Sequence, residues 1–327
     1  MPNEQYTFVT YFDVNYLVRG LTMVESVKKY EGSRIVTWIV LVLDDESYDA
    51  TKQFLTSADR VVRIDEYADL ELLALKSSRP YREFCWSIAS SLLNFAVSTA
   101  AADTIVTYID SDCFFFSNPF DFIDTALSNH DIAIHDHDFS INRESQEKAF
   151  GKYNVGVITG RVSKDYRDCI AKWRLQVISK CEINLTDGLF GDQKYLDTWP
   201  IDFESVSIIN NPGAGRAPWN ISDKEIALTS TGVTTNSHPL IFFHFHGFRL
   251  IPIWRNLFFC TPALSYRFNS DITKIIYEIY ANRLVQNRYK LNTNARMTQG
   301  FSGTRESLIA LRNSSKLLLK MRVKADD

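Results

Sequence analysis

The sequence has no CxxC pair, and its five cysteines (Cys85, Cys113, Cys169, Cys181, Cys260) are odd in number. That argues against both a disulfide framework and a cysteine zinc site. No G-x-G-x-x-G follows the first predicted strand, which argues against a dinucleotide-dependent dehydrogenase. No glycine-rich basic loop stands near the N-terminus, as a sugar-phosphate nucleotidyltransferase would need. No apolar run approaches the roughly 20 residues that cross a bilayer. The opening "MPNEQYTFVTYF" lacks the basic and apolar segments of a signal peptide. A net charge of −3 gives no general case for nucleic-acid binding. Repeats and low-complexity segments are absent too. The expectation is a reduced, cytoplasmic globular protein.

What is present is a core-forming composition, 45% hydrophobic and 23% charged over 327 residues. Strand-like runs over residues 6–12, 35–43, 60–64, 104–110, 131–134, 153–159, 205–209 and 239–245 alternate with helical spacing over 17–30 and 83–98. This alternation predicts an α/β fold, a mainly parallel central sheet with helices on both faces. Ligands of such sheets bind at the carboxyl ends of the strands, near a topological switch point.

"VTYIDSDCFFFSNPF" (106–120) places Asp110 and Asp112 at such an end. Residues i and i+2 of a strand share a face, about 6.6 Å apart. Two buried carboxylates need a positive partner or an open cleft. Rigidly held oxygens suit Mn²⁺ or Mg²⁺, although acidic pairs at strand ends also cap helices and anchor loops. "IFFHFHGFRLIPIW" (241–254) places His244 and His246 on one predicted strand face before Gly247, with Arg249 beyond. Imidazole is a fitting third ligand for Mn²⁺, and an arginine can neutralise phosphate. In "LFGDQKYLDTW" (189–199), Asp192 is either a helix N-cap or, with Gln193, a group facing substrate. Asn154 and Gly156 interrupt a strand in "KYNVGVITGR" (152–161), Gly156 allowing a ligand close to the backbone.

These motifs, with "TYFDVNYLVRGLTMVESV" and "NPGAGRAPWNI", run in order over about 240 residues. Together they resemble the family 8 glycosyltransferases, and more closely the bacterial nucleotide-diphospho-sugar transferases of surface-polysaccharide biosynthesis. The resemblance implies the GT-A fold, a UDP-sugar donor, a glycan or lipid-linked saccharide acceptor, and retention of anomeric configuration. It implies that Asp13 meets the uracil edge, Asn15 the ribose and Tyr16 the base, with Tyr11 just upstream. Asp110 and Asp112 would bind Mn²⁺ (or Mg²⁺) bridging the diphosphate, Asp110 also touching ribose, with His244 as third ligand. Asn154, Asp192 and Gln193 would line the donor-sugar and acceptor pocket, with Asn220 a further candidate. Where the family has a phosphate-gripping lysine this sequence offers Arg249, out of register. Arg82 is the stand-in for the family's upstream arginine. A non-catalytic nucleotide-sugar-binding scaffold is the alternative.

The pattern divides the chain into a catalytic domain, 1–255, and a helical C-terminal extension, 256–327. Residues 281–324 carry ten Lys or Arg against one acid, Glu306. The stretch 306–324 reads as a basic amphipathic helix, suited to an anionic membrane surface at the inner face or to docking its leucines on the domain.

Overall fold

The structure, a computed structural model, describes residues 4–67, 69–254, 257–261, 266, 272–291 and 318–319. Its centre is a seven-stranded sheet. The strands are β1 (Gln5–Phe12), β2 (Ile35–Val42), β3 (Arg60–Arg63), β4 (Ile105–Ile109), β6 (Ile132–Asp136), β7 (Tyr153–Arg161) and Val206–Ile208; a short β5 (Cys113–Phe115) lies outside it. The order is β3-β2-β1-β4-β7-β6-(Val206–Ile208). All pairings are parallel except those of β7, which runs antiparallel to both β4 and β6.

Alternation of side chains splits the core in two. Phe8, Trp38 and Val40 face α1 (Leu17–Lys28) and the helix Glu278–Lys290. Val9, Leu41, Val106 and Tyr108 face the helices Tyr81–Thr99 and Lys164–Ser179. Burial on both faces explains why these strands read as continuous apolar runs rather than alternating ones. Helix Glu278–Lys290 shares the α1 cluster: Tyr280 stacks on Phe245, with ring centroids 3.7 Å apart, and Asn287 donates to Thr22 and Glu25.

From β1 the chain steps outward to β3, then returns to β4 on the other side of β1. The switch point therefore lies between β1 and β4. With Val9 opposite Tyr108, the ends carrying Tyr11 and Asp110 emerge side by side.

Two expected strands are cut short. Asp110 and Asp112 do not lie on one strand; β4 ends at Ile109, and the Cys113 N–H bonds back to the Asp110 carbonyl at 3.0 Å. A turn, not strand alternation, sets their spacing. The run 239–245 is divided between a His238–Pro239 pairing and the strand Phe242–His244, which pairs antiparallel with β5. His246 consequently leaves the strand and is exposed. The expected basic helix over 306–324 falls largely outside the described residues. Leu318–Leu319, its two described residues, pair as a strand with Phe258 and Phe259 rather than forming a helical turn.

Candidate functional site

The pairing of β5 with Phe242–His244 sets His244 opposite Cys113, one residue past Asp112. A backbone bond from Phe245 N–H to the Asp112 carbonyl (2.8 Å) locks this junction. His244 Nε2 then lies 3.0 Å from Asp112 Oδ1 and 3.7 Å from Asp110 Oδ2. One donor atom from each of Asp110, Asp112 and His244 falls within 4.8 Å of the others. Two hard carboxylate oxygens and one imidazole nitrogen fit a Mn²⁺ or Mg²⁺ donor set. Of the two histidines, His244 joins the carboxylates; the His246 ring centroid is 6.1 Å from that of His244 and 5.9 Å from that of Trp219.

The two carboxylates titrate in opposite directions. Burial raises Asp110, and the neighbouring Asp112 charge adds to this; His244 and the Tyr108 hydroxyl (2.7 Å) offset only part. Burial also opposes ionisation of Asp112, but His244 overcomes it, with help from His246 and Arg19, holding the carboxyl near 2. Burial disfavours the charged His244, yet attraction to Asp112 dominates and its pKa rises.

Asp192 opens the 3₁₀ turn Gln193–Thr198 without making a side-chain cap bond, so helix capping does not account for it. Its carbonyl accepts from Trp173 Nε1 (2.9 Å), which pins the loop. The carboxyl is buried and raised to about 8, by desolvation and then by the Asp110 charge. Gln193 Nε2 donates to the Phe150 carbonyl (2.7 Å).

Asp13 begins α1. Its Oδ1 accepts from the N–H groups of Asn15 (3.0 Å) and Tyr16 (3.1 Å), an Asx turn, while Oδ2 accepts from Asn15 Nδ2 (3.0 Å) and Tyr81 Oη (2.7 Å). Tyr11 lies 6.5 Å from Tyr108, ring to ring, and its electrostatic neighbours include Asp110 and Asp192. Tyr11 and Tyr16 act electrostatically on the acidic pair, Tyr11 with Asp110 and Tyr16 with both Asp112 and Asp110, while Asp13 and Asn15 lie in the turn between them. Arg249 opens the strand Arg249–Trp254 after the Gly247 turn (φ +67°) and is half-buried. Arg82 is exposed on the first turn of helix Tyr81–Thr99.

Two expectations are corrected. Gly156 does not clear space for a ligand: a Cβ there would meet Asn154 Oδ1 at 2.7 Å and His244 Nδ1 at 2.8 Å, so the glycine admits the site's own side chains. Asn220 is not a free pocket group. Its Nδ2 donates to the carbonyls of His137 and Gly215 (2.8 Å each), and its Oδ1 accepts from Ala217 N–H. It is fully buried and braces the 215–220 loop.

Arg19 was not among the expected site residues. It is buried on α1, donates to the Phe248 carbonyl (2.7 Å), lies 4.6 Å over the Tyr16 ring, and acts electrostatically on Asp112. A cation inside the apolar helical run "LVRGLTMV" is the signal that marks it, since buried arginines are rare unless paired.

No family model matches the chain. It is 29% identical over 215 residues to the uncharacterized protein YfnD of Bacillus subtilis (strain 168), covering 65% of this chain and 68% of YfnD. The uncharacterized YfnF of the same organism is 27% identical over 224 residues, covering 65% and 73%. Among solved structures, the galactosyltransferase LgtC, in complex with donor and acceptor sugar analogs, superposes with a TM-score of 0.53 at 15% identity, over 86% of this chain and 95% of LgtC. The α/β architecture is that of the GT-A glycosyltransferases, as expected from the sequence. Among the described residues, no helix is long and apolar enough to cross a membrane.

Proposed function

We propose that this chain is a metal-dependent glycosyltransferase that moves a hexose from a UDP-sugar to a hydroxyl of a growing, lipid-linked surface glycan. The observation that carries the reading is the convergence of Asp110, Asp112 and His244 at the switch point of a GT-A sheet. Those three residues would hold Mn²⁺ or Mg²⁺, which supplies positive charge for a departing nucleoside diphosphate. In this reading Asp13, Asn15, Tyr16 and Tyr11 receive the nucleoside, and Arg249 meets phosphate. Asp192 and Gln193 border the transferred sugar. Buried and pressed by the Asp110 charge, Asp192 holds its proton unusually tightly. Neutralising Asp110 removes one of the two causes. The carboxylate would then stabilise the positive anomeric carbon while the acceptor hydroxyl adds on the face the diphosphate leaves. Alternatively, it would attack that carbon as its bond to the diphosphate breaks and be displaced in turn by the acceptor hydroxyl. In both cases the hydroxyl proton passes to the departed diphosphate and configuration is retained.

The chain then comprises a catalytic domain, 1–255, and an extension, 256–327, whose basic 305–327 segment holds the enzyme at the inner membrane face near its acceptor. Deleting residues 305–327 is expected to lower binding to anionic vesicles with free-donor hydrolysis kept; unchanged vesicle binding removes the membrane role.

Calorimetric titration of UDP with and without Mn²⁺ tests the central reading, followed by a panel of nucleotide sugars scored for metal-dependent hydrolysis. UDP affinity indifferent to the metal would sink it. Metal-dependent UDP binding with no turnover of any donor would make the chain a binding scaffold instead.

A further inference from the structure

The third donor of the triad is itself held by a buried polar chain. His244 Nδ1, on the ring edge away from the carboxylates, lies 3.3 Å from Asn154 Oδ1. That same Oδ1 accepts the Gly156 backbone N–H at 2.8 Å. A backbone N–H can only donate, so the amide orientation is fixed: the oxygen faces the imidazole. His244 must then keep a proton on Nδ1, so Nε2, the nitrogen facing Asp110 and Asp112, is the one that gives up its proton when a cation binds. At its other end Asn154 Nδ2 meets His137 Nε2 at 3.2 Å. His137 is buried, lies parallel to Phe139 with ring centroids 4.8 Å apart, and its carbonyl is gripped by Trp219 and Asn220. Gly156 leaves just enough room for the two side chains to meet.

We infer that Asn154 is a positioning residue for His244, fixing its ring plane and tautomer for cation binding, rather than a group committed to the donor sugar. Both contacts of its oxygen are made within the protein, and its nitrogen is turned toward His137. An oriented partner on the far nitrogen of a ligating histidine typically changes metal affinity by about 10- to 100-fold. The inference rests on the metal-site reading above.

The test titrates Mn²⁺ alone into the full chain, followed by electron paramagnetic resonance, for the wild type, Asp112→Ala, Asn154→Ala and Asn154→Asp. Asn154→Ala is expected to weaken Mn²⁺ binding about 10- to 100-fold and to lose the ¹⁴N coupling of a bound imidazole. Asn154→Asp, which still accepts from Nδ1–H and from Gly156, is expected to stay within about threefold of wild type. Should Asn154→Ala fail to fold, Asn154→Ser, one heavy atom shorter than asparagine, carries the same expectation. Wild-type Mn²⁺ affinity and ¹⁴N coupling in the alanine or serine variant overturns the inference while leaving the metal site standing. A wild-type protein that takes up no Mn²⁺, or whose uptake survives Asp112→Ala, overturns both.

Discussion

Asp112 and Asp192 are both buried, 8% and 6% exposed, and both interact with the Asp110 charge, yet they sit at opposite ends of the carboxylate range. Asp112 is held near 2, Asp192 near 8. Desolvation opposes ionisation of both. The difference comes from what other segments deliver: an imidazole bonded to Asp112, and the Asp110 carboxylate acting on Asp192. Environments that push two acids apart are a common way to give them different chemical roles.

The largest expected effect comes from abolishing the low member. Asp112→Asn is expected to lower donor turnover at least about 100-fold and to remove the Mn²⁺ dependence of UDP binding, read by calorimetry. Unchanged Mn²⁺ dependence would end its role as a ligand. Changing the high member should separate chemistry from binding: Asp192→Asn is expected to cost at least about tenfold in turnover with UDP affinity within a few-fold. Wild-type turnover in that variant removes Asp192 from the mechanism.

Gly156→Ala pushes on the contrast indirectly. The added Cβ must displace Asn154 or His244, so stability should fall by about 1–3 kcal/mol in chemical denaturation, with weakened Mn²⁺ binding. Full retention of both would mean that the two side chains move aside freely.

A further expected effect is a pH slope in the metal-free protein. The folded Asp192 holds its proton more tightly than the unfolded chain, whose carboxyl titrates near 3.9. Its stabilising contribution is complete below about pH 4 and lost as pH rises toward 8. Asp112 behaves oppositely, its contribution being lost as pH falls from about 4 toward 2. Asp192→Asn should therefore melt a few degrees above wild type beyond pH 8, and no higher below pH 4. Parallel melting curves at all pH values would erase the distinction between the two acids.

Much of the architecture was legible because strands buried on both faces cannot hide their composition. "TFVTYF", "IVTWIVLV" and "IVTYI" each fall within a strand of the central sheet. The antiparallel direction of β7 was not legible, since an apolar strand reads alike in either direction. The acidic pair and the histidine were identifiable as residue types suited to a cation. Their spacing was misread because a turn bonded from Cys113 to Asp110 leaves no signature in two aspartates. Asn220 looked like a pocket group, but side-chain type does not reveal that its amide is spent on the carbonyls of His137 and Gly215.

The sequence alone determined the strand–helix alternation, the place of the first acidic pair at a strand end, and the chemical types available there. Those properties are local, set by hydrophobic periodicity and side-chain chemistry. Only the tertiary structure decided that His244, rather than His246, meets Asp112, that Tyr81 binds Asp13, and that Asn154 grips the imidazole. Each of those contacts joins segments tens of residues apart. Their existence depends on strand order and register, fixed by the packing of the whole core.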